Sequence, residues 1–243
     1  MDSVLVHVIL VAALAGFIQG VSGFAFALVA TSLWAWMMEP QVLAPTVVMT
    51  SLLGQITSLS SVRTKLRVER AAPFLIGGAI GVPAGVVLLP LLDATAFRIS
   101  IGVMLIIYCS VMLGIKDLPV LTGGGKRADG GIGLLAGILG GATGVPGPPI
   151  ILWCALRGWD KATQRATFQS FFVGIQILVL GFYIAAGLVN ARSLQLVLVA
   201  ALPIVISSWL GSRVFKRFTE HDFQRIIFAL LLVSGIALAV SGM

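Results

Sequence analysis

The amino-acid sequence predicts an all-α polytopic membrane protein with two inverted-topology repeats. Each repeat is expected to have a Gly-broken re-entrant or discontinuous helix plus about three further spans. First, 10% of the 243 residues are charged and 58% are hydrophobic, with a mean hydropathy of +1.07, far above that of water-soluble domains. Second, a Gly-rich break recurs at equivalent places in the two halves. Third, the basic residues collect on one side of a membrane only if the halves are inverted.

Eight long runs without a charged residue follow one another along the chain. In chain order they are 3–38, 40–62, 71–92, 99–115, 130–156, 166–191, 193–212 and 226–243. Most reach the ~20 residues that an α-helix needs to cross ~30 Å of hydrocarbon. They are continuously apolar rather than alternating, which predicts helices instead of strands. The opening segment MDSVLVHVIL has no basic region before its apolar part, so a cleaved signal peptide is not expected.

Two of these runs contain the Gly-rich breaks, with the texts GFIQGVSGFAF and GILGGATGVPGPP. Adding 121 to the first set of glycines gives the second set: Gly16, Gly20 and Gly23, then Gly137, Gly141 and Gly144. Glycine and proline weaken a helix, yet each backbone polar group in hydrocarbon needs an internal partner. The breaks are therefore expected where protein or a polar cavity shields them, as at the site between two halves of a transporter.

Other landmarks repeat along the chain and predict its domain boundaries. The same offset of 121 relates Ser22 to Thr143 and Gln55 to Gln176. The motif Pro-x7-Gly that ends at Gly81 resembles the one that ends at Gly211, at an offset of 130. We predict a first transmembrane repeat at 1–117, a cytoplasmic linker at 118–127 and a second repeat at 128–243.

The positive-inside rule indicates the orientation of the halves. If each uncharged run crossed the membrane once, the Lys and Arg residues would divide eight against eight, which the rule disfavours. If 4–38 and 131–156 each enter and return on the same side, fourteen basic residues face two. The fourteen then lie in four loops on the cytoplasmic side: 63–70, 116–127, 157–165 and 213–225.

Length distinguishes the two broken segments. Residues 132–140 span about 13 Å as a helix, too short to cross, so 131–156 is expected to form a re-entrant hairpin or a discontinuous helix. The segment 4–38 has more room. A re-entrant hairpin and two short crossings both stay open for it.

The broken segments also carry a family resemblance. GFIQGVSGFAFAL and GILGGATGVPGPPIIL resemble the two repeat signatures of the sulfite exporter TauE/SafE family of membrane permeases, and RATFQSFF resembles the start of the helix that follows. The resemblance covers nearly the whole chain. It implies transport of sulfite, sulfonates or related carboxylates by a multi-pass protein of the bacterial inner membrane, and it does not identify the substrate.

The residues themselves also favour an anionic ligand. Helices that restart after the breaks, near Phe24 and near Pro149, would direct their N-terminal N–H groups at a mid-membrane site. No Asp or Glu lies within the predicted membrane depth, which disfavours a Na⁺ or metal-cation site. We expect a secondary transporter or facilitator that works by alternating access. An anion-selective channel is the alternative.

The candidate substrate-binding residues lie at the breaks and at polar positions near or within the apolar runs. They are Gly20, Ser22, Gly23, Phe24, Gln55, Gly141, Thr143, Gly144, Arg165, Gln169 and Gln176. Hydrogen bonds between helices are the alternative role for Gln55 and Gln176. For Arg165 the alternative is a contribution to topology.

Other classes of protein are disfavoured. Two separated histidines, two isolated cysteines and no GxxxxGK[ST] loop argue against an enzyme or an ATPase. No nucleic-acid partner is expected, because the net charge of +7 is explained by loops beside the apolar spans. No cofactor or metal is expected either. The expected partners are a small anion and the lipid bilayer. A co-transported proton, with His7 as a candidate carrier, and a homodimer stay open.

Overall fold

The computed structural model describes residues 2–62, 67–114, 120, 121, 123–214 and 220–241. These residues form ten α-helices and a short 3-10 turn at Leu89–Leu91. The helices are α1 (Asp2–Ser22), α2 (Phe26–Trp34), α3 (Pro40–Val62), α4 (Val68–Leu88), α5 (Ala94–Gly114), α6 (Gly125–Thr143), α7 (Gly147–Leu156), α8 (Lys161–Ala185), α9 (Ala191–Val214) and α10 (Glu220–Ser241). Helix α6 begins inside the predicted linker 118–127, of which 118, 119 and 122 lie outside the described residues.

The prediction of an all-α polytopic membrane protein is confirmed. Within the described part of the chain, six helices are long and apolar enough to span a membrane, namely α1, α3, α4, α5, α8 and α9. Large apolar side chains such as Leu91, Leu198 and Val87 face outward, where lipid would cover them. The short helix α2 is different, because eight of its nine residues are buried. Protein therefore shields this broken segment, as the backbone requires.

Both breaks have the same local structure. Helix α1 ends in front of Gly23 and helix α6 ends in front of Gly144, and these glycines adopt φ values of 82° and 77°. The Gly23 N–H donates to Gln19 O at 2.7 Å, and the Gly144 N–H donates to Gly140 O at 2.9 Å. This left-handed conformation at a helix end is readily available only to glycine. The repeated glycines thus mark turning points of the chain.

Each broken segment folds back on itself. In the second half, the Trp153 indole near the end of α7 donates to Asp129 Oδ1, near the start of α6, at 2.7 Å. In the first half, Val4 near the start of α1 lines the same surface cleft as Met37 and Met38, which follow α2. The two ends of each segment therefore lie together, and we call 4–38 and 131–156 the two hairpins. A re-entrant hairpin and two short crossings both stay open for 4–38, because both return to the same end and α1 is long enough to span a membrane.

The basic loops gather at one end of the molecule. The Arg70 guanidinium lies 5.2 Å from the ring centre of Trp159, so the described parts of loops 63–70 and 157–165 lie side by side. We call this the basic end. At the opposite end, Arg98 Nε donates to Ala35 O at 3.0 Å, and Arg192 lines the cleft beside Glu39. Five of the counted basic residues lie outside the described residues: Arg63, Lys65, Lys116, Lys216 and Arg217.

In two pairs of helices, the backbones approach closely through small residues. Helix α4 packs along α6, and α9 packs along α1. Gly85 meets Gly141 in the first pair, and Gly211 meets Gly20 in the second, with no room for a Cβ at any of these positions. Close approach of this kind is typical of membrane helices. Gly85, and not Gly81, therefore corresponds to Gly211, so the offset here is 126 instead of the 130 expected from the Pro-x7-Gly motif.

Candidate functional site

A narrow cavity lies where the two hairpins meet helices α3 and α8. Its volume is about 10 Å³, close to the minimum for a single water molecule. Eleven described residues line it, and none of them is charged: Gln19, Phe24, Ala27, Leu28, Ser51, Gln55, Val145, Pro146, Gly147, Phe172 and Gln176. In this conformation the cavity is too small for any of the expected anions.

Buried amides form the polar part of the cavity. Gln19 Nε2 donates to Gln55 Oε1, and Gln19 Oε1 accepts the N–H of Phe26 at 3.0 Å. From the other half, Gln176 Nε2 donates to Ser51 Oγ at 2.8 Å. Gln55 Nε2 and Gln176 Oε1 have no hydrogen-bond partner among the described residues. Because buried amide groups are costly to leave unpaired, these two atoms are available to a ligand or a water molecule.

The hydroxyls at the breaks serve the backbone in this conformation. Ser22 Oγ donates to Ile18 O at 2.8 Å and accepts the N–H groups of Phe24 and Ala25 at 3.3 and 3.2 Å. At the second break, Thr143 Oγ1 donates to a backbone carbonyl one turn earlier and accepts the N–H of Val145 at 3.2 Å. Both side chains cap the turn, and neither lines the cavity. Their assignment as ligand donors stays a prediction.

The starts of the two short helices supply further donors. Ala27 and Leu28 belong to the first turn of α2, and Gly147 begins α7; all three line the cavity. First-turn N–H groups have no acceptor within their own helix and carry the positive end of its dipole. Pro148 and Pro149 follow in α7 and have no N–H to contribute. The donor-rich side of the cavity is therefore the start of α2.

A second group of predicted residues surrounds Gly23. A Cβ added there would lie 3.0 Å from Gln169 Nε2 and 3.1 Å from Arg165 Nε and Nη2. Gln169 is fully buried and Arg165 is 8% exposed. Asp160 fixes the start of their helix, because its Oδ1 accepts the Thr163 N–H at 3.0 Å. Hydrogen bonds from the side chain and the backbone of Thr163 hold the pKa of Asp160 below its usual value.

The predicted site residues fall into three groups. Phe24, Gln55 and Gln176 line the cavity. Gly23, Arg165 and Gln169 lie together beside it. The remaining predicted residues belong to turns or helix contacts: Gly20, Ser22, Gly141, Thr143 and Gly144.

Sequence reasoning missed Gln19 and Ser51. Gln19 joins the two polar elements of the first half, because it contacts both Gln55 and the start of α2. A signal was present, since Gln19 is a polar residue between the break glycines of an apolar run. Ser51 had no such mark, because α3 contains several Ser and Thr residues. Its role depends on the contact with Gln176 of α8.

The comparison with protein families agrees with this geometry. The family model described as sulfite exporter TauE/SafE matches residues 8–238. The chain belongs to the sulfite exporter TauE/SafE family. The match includes every residue that lines the cavity, and all of both hairpins except 4–7. No curated protein and no solved structure gives a significant match. Membership of the TauE/SafE family confirms the resemblance of the repeat signatures and identifies a family of membrane permeases, which are transporters and not enzymes.

Proposed function

We propose that this TauE/SafE family member is a secondary transporter or facilitator of a small anion in the bacterial inner membrane. The expected substrates are sulfite, a sulfonate or a related carboxylate. The observation that supports this most directly is the cavity between the two hairpins, where amides from both halves meet the start of α2. Its lining offers hydrogen-bond donors without a carboxylate that would repel an anion.

The donors suit an oxyanion better than a cation. The Gln55 amide nitrogen is buried and has no partner among the described residues, and the first turn of α2 directs N–H groups into the same space. A hydrogen bond to a charged group contributes about 1.5–3 kcal/mol. Two or three such bonds would offset part of the cost of taking an anion out of water.

We further propose that the halves are inverted repeats that rock about this cavity. Three helix contacts support the proposal: α1 packs on α9, α6 packs on α4, and α3 packs on α8 at the cavity. The gathering of the described basic residues at one end agrees with the inverted arrangement. The small volume of the cavity is consistent with an occluded state between openings to either side.

Counterflow in proteoliposomes tests this proposal. Vesicles loaded with one unlabelled anion should take up the same labelled anion in a saturable way, and uptake should fall when the internal anion is omitted. Sulfite, ethanesulfonate and acetate are the first probes. Uptake that neither saturates nor responds to internal anion would indicate the channel instead. If the protein exchanges no member of a wider panel of sulfonates and carboxylates, transport of small organic anions is contradicted.

A substitution in the cavity provides the structural test. Gln55→Leu removes the unpartnered amide and should raise the KM for the transported anion about 10- to 100-fold, as expected for a hydrogen bond to a charged group. Gln195→Leu is the matched control, because Gln195 lies exposed on α9. Equal KM values for the two variants would show that the anion does not bind at this cavity.

A further inference from the structure

The two breaks have the same backbone structure, but the side chains next to them differ in polarity. At the first break, the space around Gly23 is bounded by Arg165 and Gln169, whose polar atoms lie 3.0–3.1 Å from the position of an added Cβ. Both side chains come from the basic-end part of α8, within its first nine residues. Gly23 has no side chain of its own, so the polar atoms of α8 approach its backbone directly.

The second break is the counterpart and is apolar. A Cβ added at Gly144 would lie 3.0 Å from Ala44 O and 3.4 Å from a methyl group of Val48. Ala44 and Val48 are related to Arg165 and Gln169 by the same offset of 121 that relates the two glycines. Equivalent positions of the fold therefore carry a cation and an amide on one side, and two apolar side chains on the other.

The buried amide of Gln169 indicates that a ligand binds beside Gly23, which we call the polar side. Gln169 is fully buried, and neither its Nε2 nor its Oε1 has a hydrogen-bond partner within the described part of the chain. An amide buried in this way is unfavourable unless a polar group joins it. Val48, at the equivalent position, shows that the fold does not itself require an amide there.

The polar side also leads into the cavity. Gln169 precedes Gln176 by two helical turns, or about 10 Å along the axis, and Gln176 lines the cavity. Phe24 stands between them: it follows Gly23, lines the cavity and packs edge-on against Phe168 with ring centres 5.7 Å apart. A ligand at Gly23 would thus lie between the cavity and the basic end.

We infer that the charged group of the substrate is held on the Gly23 side only, where Gln169 and Arg165 join the Gln55 amide of the cavity, and that the Gly144 side receives uncharged parts. The inference rests on the proposed transport function and specifies its substrate class. The guanidinium and the amide together match one sulfonate or carboxylate group. The substrate class is a small organic anion with one such group and a short carbon chain. A molecule with an anionic group at each end would place one charge against Ala44 and Val48.

Paired substitutions and paired probes test this subsite. Gln169→Leu keeps the size of the side chain, removes its amide and should raise the KM for ethanesulfonate about tenfold or more, as expected for one hydrogen bond to a charged group. Gln169→Glu should reduce transport further by repelling the anion. Gln195→Leu is the control, because Gln195 lies exposed on α9 and outside the binding region, and it should leave KM within about twofold. Unlabelled ethane-1,2-disulfonate should inhibit the uptake of labelled ethanesulfonate with an inhibition constant at least about tenfold higher than that of unlabelled ethanesulfonate.

The outcomes separate the subsite from the transport function. Thermal unfolding of the purified variants first establishes that each is folded. If Gln169→Leu is unfolded, the KM of Gln169→Glu is measured in its place. If the wild-type protein exchanges ethanesulfonate while Gln169→Leu and Gln195→Leu have the same KM, the one-sided subsite is wrong and transport stands. Equal competition by the disulfonate also overturns the subsite. If the wild-type protein exchanges no anion, the proposed function fails instead.

Discussion

Gly141→Ala tests whether this glycine serves helix packing or ligand binding. A Cβ at this position would lie 2.5 Å from Val82 O and 2.8 Å from the backbone N of Val86. Ordinary van der Waals contact begins at 3.4 Å, and backbone atoms cannot turn aside as a side-chain tip can. Helices α4 and α6 must therefore separate by about 1 Å, which forfeits roughly a quarter to a half of the dispersion energy of the affected contacts.

The magnitude follows from a comparison on the same helix. Overpacking of a close contact costs about 1–3 kcal/mol, and alanine gains up to about 1 kcal/mol over glycine in helix propensity. Gly131→Ala is the matched control, because nothing lies within 4 Å of its added Cβ. The two variants share the propensity gain, so their difference reports packing alone. For a chain of this size, the Tm of Gly141→Ala should lie about 2–12 °C below that of Gly131→Ala.

A thiol-reactive dye provides the assay in detergent solution. The free thiols of Cys109 and Cys154 are buried, so they react with the dye only as the protein unfolds. If Gly141→Ala and Gly131→Ala melt at the same temperature, the close α4–α6 contact does not exist and the reasoning is refuted. If they melt alike and only Gly141→Ala loses anion binding, Gly141 contacts the ligand as the sequence predicted.

Two further predictions concern the ends of the molecule. Single cysteines that replace Glu69 and Ala162 in a cysteine-free background should react with an impermeant reagent from the same, cytoplasmic side. A cysteine that replaces Ala191 should react from the other side. Labelling of positions 69 and 162 from opposite sides would contradict the described basic end. Asp129→Ala should destabilise the protein by about 1–3 kcal/mol, because the Trp153 indole loses its buried acceptor. Asp129→Asn keeps an acceptor and should lose less, and thermal unfolding that ranks the two in the opposite order would exclude this role.

The sequence predicted the turning points because their causes are local. An uncharged run of sufficient length becomes a membrane helix, and a glycine whose φ is positive ends it. Counting charges also predicted that both broken segments return to the side they entered, since orientation depends on the loops and not on packing. The ends of each segment lie together, as Asp129 and Trp153 do, which agrees with this return.

Packing positions were harder to assign. The assignment of Gly20 and Gly141 to substrate binding stays a prediction, and in the structure both lie where two helix backbones meet. A glycine that allows two backbones to approach is indistinguishable in the sequence from one that allows a ligand to approach. The same limit explains why the Pro-x7-Gly motif selected Gly81, although Gly85 makes the contact that corresponds to Gly211. Gly81 also packs against α6, since a Cβ added there would lie 3.0 Å from Ile138 N. The spacing along one helix therefore does not specify which of its glycines is the counterpart of Gly211.

The sequence by itself determined the helical spans, the two breaks and the end of the molecule at which the described basic residues collect. The tertiary structure alone decided which polar groups meet: Gln19 reaches Gln55, 36 residues away, and Gln169 faces Gly23 from the other half of the chain. It also revealed that the equivalent position beside Gly144 holds Val48. The physical reason is that helix formation and membrane insertion depend on neighbouring residues in the chain. The chemistry of a buried site depends on which side chains distant segments bring into contact.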